Sequence, residues 1–218
     1  GKDLPYAATQ DAQKRTADAV RAGDLPDQLW LLQHEAVISV PRKEAAWAHL
    51  LVTPARAESL GVRVETTTRG GNITYHGPGQ WVLYPIVALQ KGERDIRKFV
   101  CNLEQAMMEV SRSFGLEPSR SEGETGTWIG EQKIGAIGVR FARWVSSHGI
   151  AFNGSTNMDH FDLIIPCGLA NKGVCSLQSL AVAHDEDALG LALAQAVADN
   201  LGRSLVKGPN HLPPTNAV

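Results

Sequence analysis

Cysteine is scarce in these 218 residues: Cys101, Cys167 and Cys175, with no CxxC pair. An odd, low count without paired spacing excludes a disulfide framework and a cysteine-based zinc site, and it fits a reducing, cytoplasmic compartment. The seven histidines show no short ligand spacing, so no metal is expected. No GxxxxGK[ST] phosphate loop is present, and no cofactor is expected. There is no apolar run long enough to span a bilayer and no signal-peptide pattern, so no membrane partner is expected. An excess of one charge is also missing. Lys and Arg number 21 against 23 Asp and Glu, a net charge of −2, which removes the global basic field of a nucleic-acid binder. An acidic partner would have to meet a local patch: Arg42-Lys43, Arg94 with Arg97-Lys98, or Arg140 with Arg143. Repeats and low-complexity blocks are absent too.

What is there is ordinary for a globular protein: 43% hydrophobic and 20% charged residues. The length suits a single catalytic domain over residues 1–218, with 208–218, rich in proline, as a loose tail. Ala8 to Ala22 reads as a surface helix stopped by Gly23. Asp95 to Phe114 is a second, with Ile96, Phe99, Val100, Leu103, Met107, Val110 and Phe114 at helical spacing, Asp95 as cap and Gly115 as stop. Cys101 lies beside that stripe and reads as a buried structural thiol. Asp185 to Leu201 is a final helix, and Pro54 to Leu60 a short one. Strands are expected at Gln28 to Gln33, Ala36 to Val40, Val62 to Thr67, Trp81 to Ala88, Thr127 to Ile129, Lys133 to Phe141 and Ser147 to Phe152. Strands and helices do not alternate strictly as β-α-β. The fold class is therefore α+β, a mixed sheet flanked by helices, and not a doubly wound sheet.

The densest chemical string is Thr68 to Gln80, reading TRGGNITYHGPGQ, which holds four glycines, Arg69 and His76. Glycine lets backbone approach a ligand where a Cβ would block it. Arg69 adds a fixed cation and His76 a titratable ring. Further on, Cys167 stands between Pro166 and Gly168, where a free backbone N–H beside the sulfur suits an oxyanion donor. The thiolate is the reactive form, and an ordinary thiol with pKa near ~8.5 is mostly protonated at neutral pH, so a neighbour must favour the anion. Lys133, where a cation enters a strand of small and apolar residues, is the candidate neighbour. On residues alone, Cys167 also fits a small buried hydrophobe, Lys133 a strand-end cation reaching water, and Cys167 with His148 and Asn153 a hydrolase triad.

Four blocks together narrow this. Arg69-Gly70-Gly71-x-x-Thr74-Tyr75-His76-Gly77-Pro78-Gly79-Gln80-x-x-x-Tyr84-Pro85 resembles the signature of the lipoyl(octanoyl) transferases. Lys133 to Gly138, His148 to Asn153 and Pro166-Cys167-Gly168-Leu169 follow in the same order. The resemblance spans residues 28 to 180. It implies a fold similar to the lipoate and biotin protein ligase catalytic fold. It also implies transfer of an octanoyl group from acyl carrier protein to a lysine of a lipoyl domain, the first step of lipoate assembly. The acceptors implied are the 2-oxoacid dehydrogenase complexes and the glycine cleavage H protein. By the same resemblance Cys167 carries the acyl thioester and Lys133 lowers its pKa. The acyl pocket is then lined by Arg69, Gly70, Gly71, Asn72, Ile73, Thr74, Tyr75 and His76, by Ala136, Ile137 and Gly138, and by Gly149, Ile150 and Ala151. His148 is an accessory candidate, and either it or Lys133 takes the proton of the attacking amine. The pocket is expected to be a narrow apolar slot. Cys175 departs from the family, which often has threonine there. The alternatives are an ATP-dependent lipoate–protein ligase of the same fold and a non-catalytic acyl-binding module.

Overall fold

A computed structural model describes residues 1–166 and 172–208. The N-terminal helix α1 (Tyr6–Ala22) is amphipathic and buries Tyr6, Ala12, Gln13, Ala17 and Val20. It is followed by strands β1 (Gln28–Leu32) and β2 (Val37–Pro41), helices α2 (Glu44–Trp47) and α3 (Pro54–Ser59), and strands β3 (Arg63–Thr67), β4 (Thr74–His76) and β5 (Gln80–Ile86). Helix α4 (Ile96–Ser113) then leads to β6 (Pro118–Ser121), β7 (Glu124–Ile129), β8 (Gln132–Ala142), β9 (Val145–Asn153), β10 (Gly173–Val174) and α5 (Glu186–Asn200). Among the described residues no helix is long and apolar enough to cross a membrane.

The larger sheet runs β1-β5-β9-β8-β7-β6, antiparallel throughout, with β10 added parallel to β8. The smaller runs β3-β2-β4 and is mixed, β3 parallel and β4 antiparallel to β2. The α+β expectation therefore holds. Asp95 caps α4 by accepting from Lys98 N–H at 2.9 Å, and Asp185 caps α5 through Ala188 N–H at 2.7 Å. These two helices pack on one face of the large sheet over Leu83, Ile134, Ile150 and Phe152. The small sheet closes on a second core of Ile38, Val40, Ile73, Tyr75, Phe161 and Ile164.

Three features of the chain read differently in the structure. The connection between the strands expected at Lys133 to Phe141 and Ser147 to Phe152 is a turn only two residues long. Arg143 and Trp144 both take positive φ, 51° and 67°, as a tight hairpin between twisted strands demands, and Val145 already belongs to β9. The string Thr68 to Gln80, where no strand is expected, contains the short strand β4. Cys101 is exposed, not buried, because the buried stripe of α4 is Phe99, Leu103, Met107 and Val110. Two residues past Phe99 lies roughly 200° around the helix, on its solvent side.

Candidate active site

The face of the large sheet opposite α4 and α5 is not packed solid. A cavity of about 500 Å³ lies there, walled by β8, β9 and β5 on one side and by the glycine-rich string and β4 on the other. From the expected set it is lined by Arg69, Gly70, Gly71, Asn72, Thr74, His76, Lys133, Ala136, Ile137, Gly138, His148, Gly149, Ile150 and Ala151. Ile73 and Tyr75 are not on its wall. Both are fully buried in the second core, because successive residues of a strand face opposite sides and Thr74 and His76 take the cavity side. Tyr75 instead donates its hydroxyl to His160 Nδ1 or accepts from it at 2.9 Å, and burial pushes its phenol up to about 12.

The glycine string is laid directly against β8. Gly70 N–H donates to Val139 O at 3.1 Å, and a Cβ at Gly70 would lie 2.8 Å from that same oxygen. Arg69 is held by Ser39: its Nη2 donates to Ser39 O and Oγ, both at 2.9 Å, and its Nη1 to Gly70 O at 3.0 Å. The guanidinium is thus a fixed charge on the wall and not a swinging arm.

The far end of the cavity is built from rings. Tyr6 stacks on His76 with centroids 5.7 Å apart, and His34, Tyr84 and His148 stand within about 6 Å of one another in sequence of contact. His34 Nδ1 faces Leu4 O at 2.9 Å, so it carries the hydrogen, and its Nε2 accepts from Tyr84 hydroxyl at 2.7 Å. His76 Nδ1 donates to Gln80 Oε1 at 2.7 Å. All three imidazoles are held neutral. Burial drives His34 down to about 4 and His76 well below the usual range. Burial first, then the Arg69 charge, drives His148 down to about 3. His148 also has a positive φ of 57°, and its N–H goes to Gln13 Oε1 on α1 at 2.7 Å. At this end the cavity is consequently more polar than the expected slot. The sequence reading missed Tyr6, Val82, Val100, Thr125 and Val139 on the wall. Tyr84 stood in the quoted signature, but nothing near Tyr6 marked it.

At the other end stands Lys133, buried to 6% exposure. Its Nζ donates to Thr125 O at 3.0 Å and lies 4.6 Å from the centre of the Trp128 ring. A small adjoining pocket of about 10 Å³ is lined by Lys133, Ala136, Ala151, Phe161 and Pro166. Cys167, the next residue after Pro166, lies outside the described residues, as do Gly168 and Leu169. His148 pairs across from Val139, six residues along β8 from Lys133 and so roughly 20 Å away. Cys175 is buried, and its thiol is pushed up to about 12 by that burial. It is an inert core sulfur. Among the described residues no group of three or more His, Cys, Asp or Glu is placed to hold a metal.

Residues 5–198 match the family of the lipoyl protein ligase A/B catalytic domain. An octanoyltransferase of Caldicellulosiruptor saccharolyticus is 45% identical over 179 residues, 81% of this chain and 76% of that protein. One of Solibacter usitatus is 41% identical over 187 residues, 86% and 84% of the two chains. Among solved structures, lipoate-protein ligase A bound with ATP superposes with a TM-score of 0.75 at 15% identity, covering 94% of this chain and 85% of that one. A bi-partite lipoate protein ligase from Thermoplasma acidophilum gives 0.73 at 14% identity, covering 95% and 84%. At such identities the structural likeness speaks for the fold.

Proposed function

The chain belongs to the lipoyl protein ligase A/B catalytic-domain family and acts as an octanoyltransferase, and from that premise we propose a covalent route for the transfer. The Cys167 thiolate attacks the carbonyl of an octanoyl thioester on acyl carrier protein. The tetrahedral adduct collapses, the carrier thiol leaves with a proton from Lys133, and the octanoyl group stays on Cys167. A lysine amine of a lipoyl domain then attacks the enzyme thioester, gives its proton to the now neutral Lys133, and departs as the octanoyl amide. Thioester exchange is close to isoenergetic and amide formation is downhill, so the route needs no nucleotide.

The observation that carries this reading is the placement of Lys133. Its ammonium is held at the end of the cavity that reaches Pro166, the residue bonded to Cys167. A cation there favours the thiolate. His148 does not serve as the amine's base. It lies at the opposite end of the cavity, and an imidazole held near about 3 is a poor acceptor for a proton from an ammonium of pKa near ~10.4. Val82, Ala136 and Ala151 supply the apolar wall for the chain. Burying each methylene contributes roughly 0.8 kcal/mol, so the six of an octanoyl chain contribute about 5 kcal/mol toward holding it.

The test is intact-mass analysis after mixing with octanoyl-acyl carrier protein in the absence of ATP. The protein is expected to gain one octanoyl group, to lose it on addition of a lipoyl domain, and to gain none as Cys167→Ala. Octanoylation of the lipoyl domain by Cys167→Ala at the full rate would rule the covalent route out, and a strict need for ATP and free octanoate would point to a ligase.

A further inference from the structure

Trp128 is 2% exposed, yet it belongs to none of the four apolar clusters of the described residues. Its ring is occupied by cations instead. Lys133 Nζ stands 4.6 Å from the ring centroid and Lys172 Nζ 4.8 Å from it. Two ammonium groups on one indole would repel, but Lys172 is neutralised locally: its Nζ donates to Glu124 Oε2 at 3.1 Å and to Ser121 Oγ at 2.8 Å.

The backbone brings Trp128 and Lys133 together on purpose. They are direct cross-strand partners, and the register slips beside them: Thr127 faces Gly135 and Trp128 faces Lys133, so Ile134 is an extra residue on β8. The slip turns Lys133 toward the indole while Ile134 stays in the core. Gly126 clears the way, since a Cβ there would come within 3.2 Å of Lys133 Cε and 2.6 Å of Gly135 O. The buried carboxylate of Glu104 accepts from Gly126 N–H at 2.9 Å and is paired with Arg120 Nε at 2.9 Å. It thereby fixes the strand that offers Thr125 O to Lys133.

We propose that Trp128 is a positioning residue for Lys133, whose indole face holds the ammonium at the end of the cavity that reaches Pro166. The proposal rests on the acyl-transfer reading and deepens it. A lysine has a long flexible stem and a strongly hydrated head. The Thr125 carbonyl accepts from that head on one side, and the π-face beside it restricts it to one quadrant and attracts its charge.

The test reads the pH midpoint of Cys167 alkylation by iodoacetamide, resolved from exposed Cys101 by peptide mass, together with kcat and KM. Trp128→Leu is expected to raise the midpoint, slow alkylation at pH 7 roughly three- to fivefold, and lower kcat with KM little changed. Trp128→Phe, which keeps a π-face, is expected to recover most of this. In a Lys133→Ala background Trp128→Leu is expected to add nothing. If Trp128→Leu does not fold, uniform difluorotryptophan keeps the ring's shape while weakening its face, and the same upward shift is expected. A wild-type midpoint in either case, or an equal further shift in the Lys133→Ala background, would overturn the assignment. If Lys133→Ala itself leaves the midpoint unmoved, the acyl-transfer reading fails along with it. If Lys133→Ala moves the midpoint and Trp128→Leu does not, only the role of Trp128 falls.

Discussion

Three neutral imidazoles buried around one end of the cavity make stability depend on pH in a window that can be worked out. In the unfolded chain each histidine takes its proton near the ordinary value of 6.5; in the folded protein His34 waits until about 4, His148 until about 3, and His76 stays well below 6.5. Between those values the unfolded state binds more protons than the folded one, so stability rises with pH there. The stabilisation is complete above pH 6.5 and is lost as pH falls. At pH 5 His34 and His148 sit about 1.5 pH units below their unfolded midpoint, which costs about 2 kcal/mol each and on the order of 4 kcal/mol together, with His76 acting in the same direction. That is a large share of the whole stability of an ordinary domain, roughly 5–15 kcal/mol. Glu93, held near about 2 by Arg203, loses stability only below about pH 4.5, so the upper window belongs to the histidines. Urea unfolding at pH 8, 6.5 and 5 is the assay, with histidine side-chain NMR to follow each ring. The denaturation midpoint should hold between pH 8 and 7 and fall steeply by pH 5. A midpoint unchanged down to pH 5, or rings titrating near 6.5 in the folded protein, would refute the reasoning.

Two other outcomes are expected. Cys175→Ser should keep octanoyl transfer within about threefold of wild type, and native Cys175 should resist alkylation until the protein unfolds, since its thiol is buried and pushed up to about 12. Ala136→Leu adds three carbons to the cavity wall. It removes room for about three methylenes, so transfer of octanoyl should fall on the order of 50-fold in kcat/KM while a butanoyl donor loses much less; a profile of donors from four to twelve carbons checks this.

Much of the fold was legible because its elements carry their own boundaries. Asp95 and Gly115 bracket α4, and the β-branched and apolar runs of β5, β8 and β9 can hardly be anything else. The site was legible in its glycine string and in Lys133, where a cation stands among small residues. The alternation Ile73, Thr74, Tyr75, His76 also holds the sign of a strand, apolar and polar by turns. The family resemblance implied a place on the pocket for all four, whereas Thr74 and His76 face the cavity and Ile73 and Tyr75 the second core. The rings at the far end were not legible, because Tyr6, His34, Tyr84 and His148 come from four separate elements and meet only through tertiary packing.

The least legible step is the one that places Lys133 on the cavity side. Along an unbroken strand, Lys133 would share a face with Ile137 and Val139, which pack against the core beneath α4 and α5. A lysine there would be a buried cation in a hydrocarbon layer, or would push the strand end apart to reach water. Ile134 also lies in that core, three residues from Ile137, and period-two alternation forbids both on one face. Only an extra residue reconciles them, and the register slip opposite Thr127 and Trp128 supplies it. The slip transfers Lys133 to the cavity side with Ala136 and Gly138. Residue types at positions 132 to 138 do not announce such a slip, since its cause lies across the ladder, in Gly126 and Trp128 on β7. Thus the strand that reads as a plain run of small residues owes the placement of its buried lysine to its neighbour.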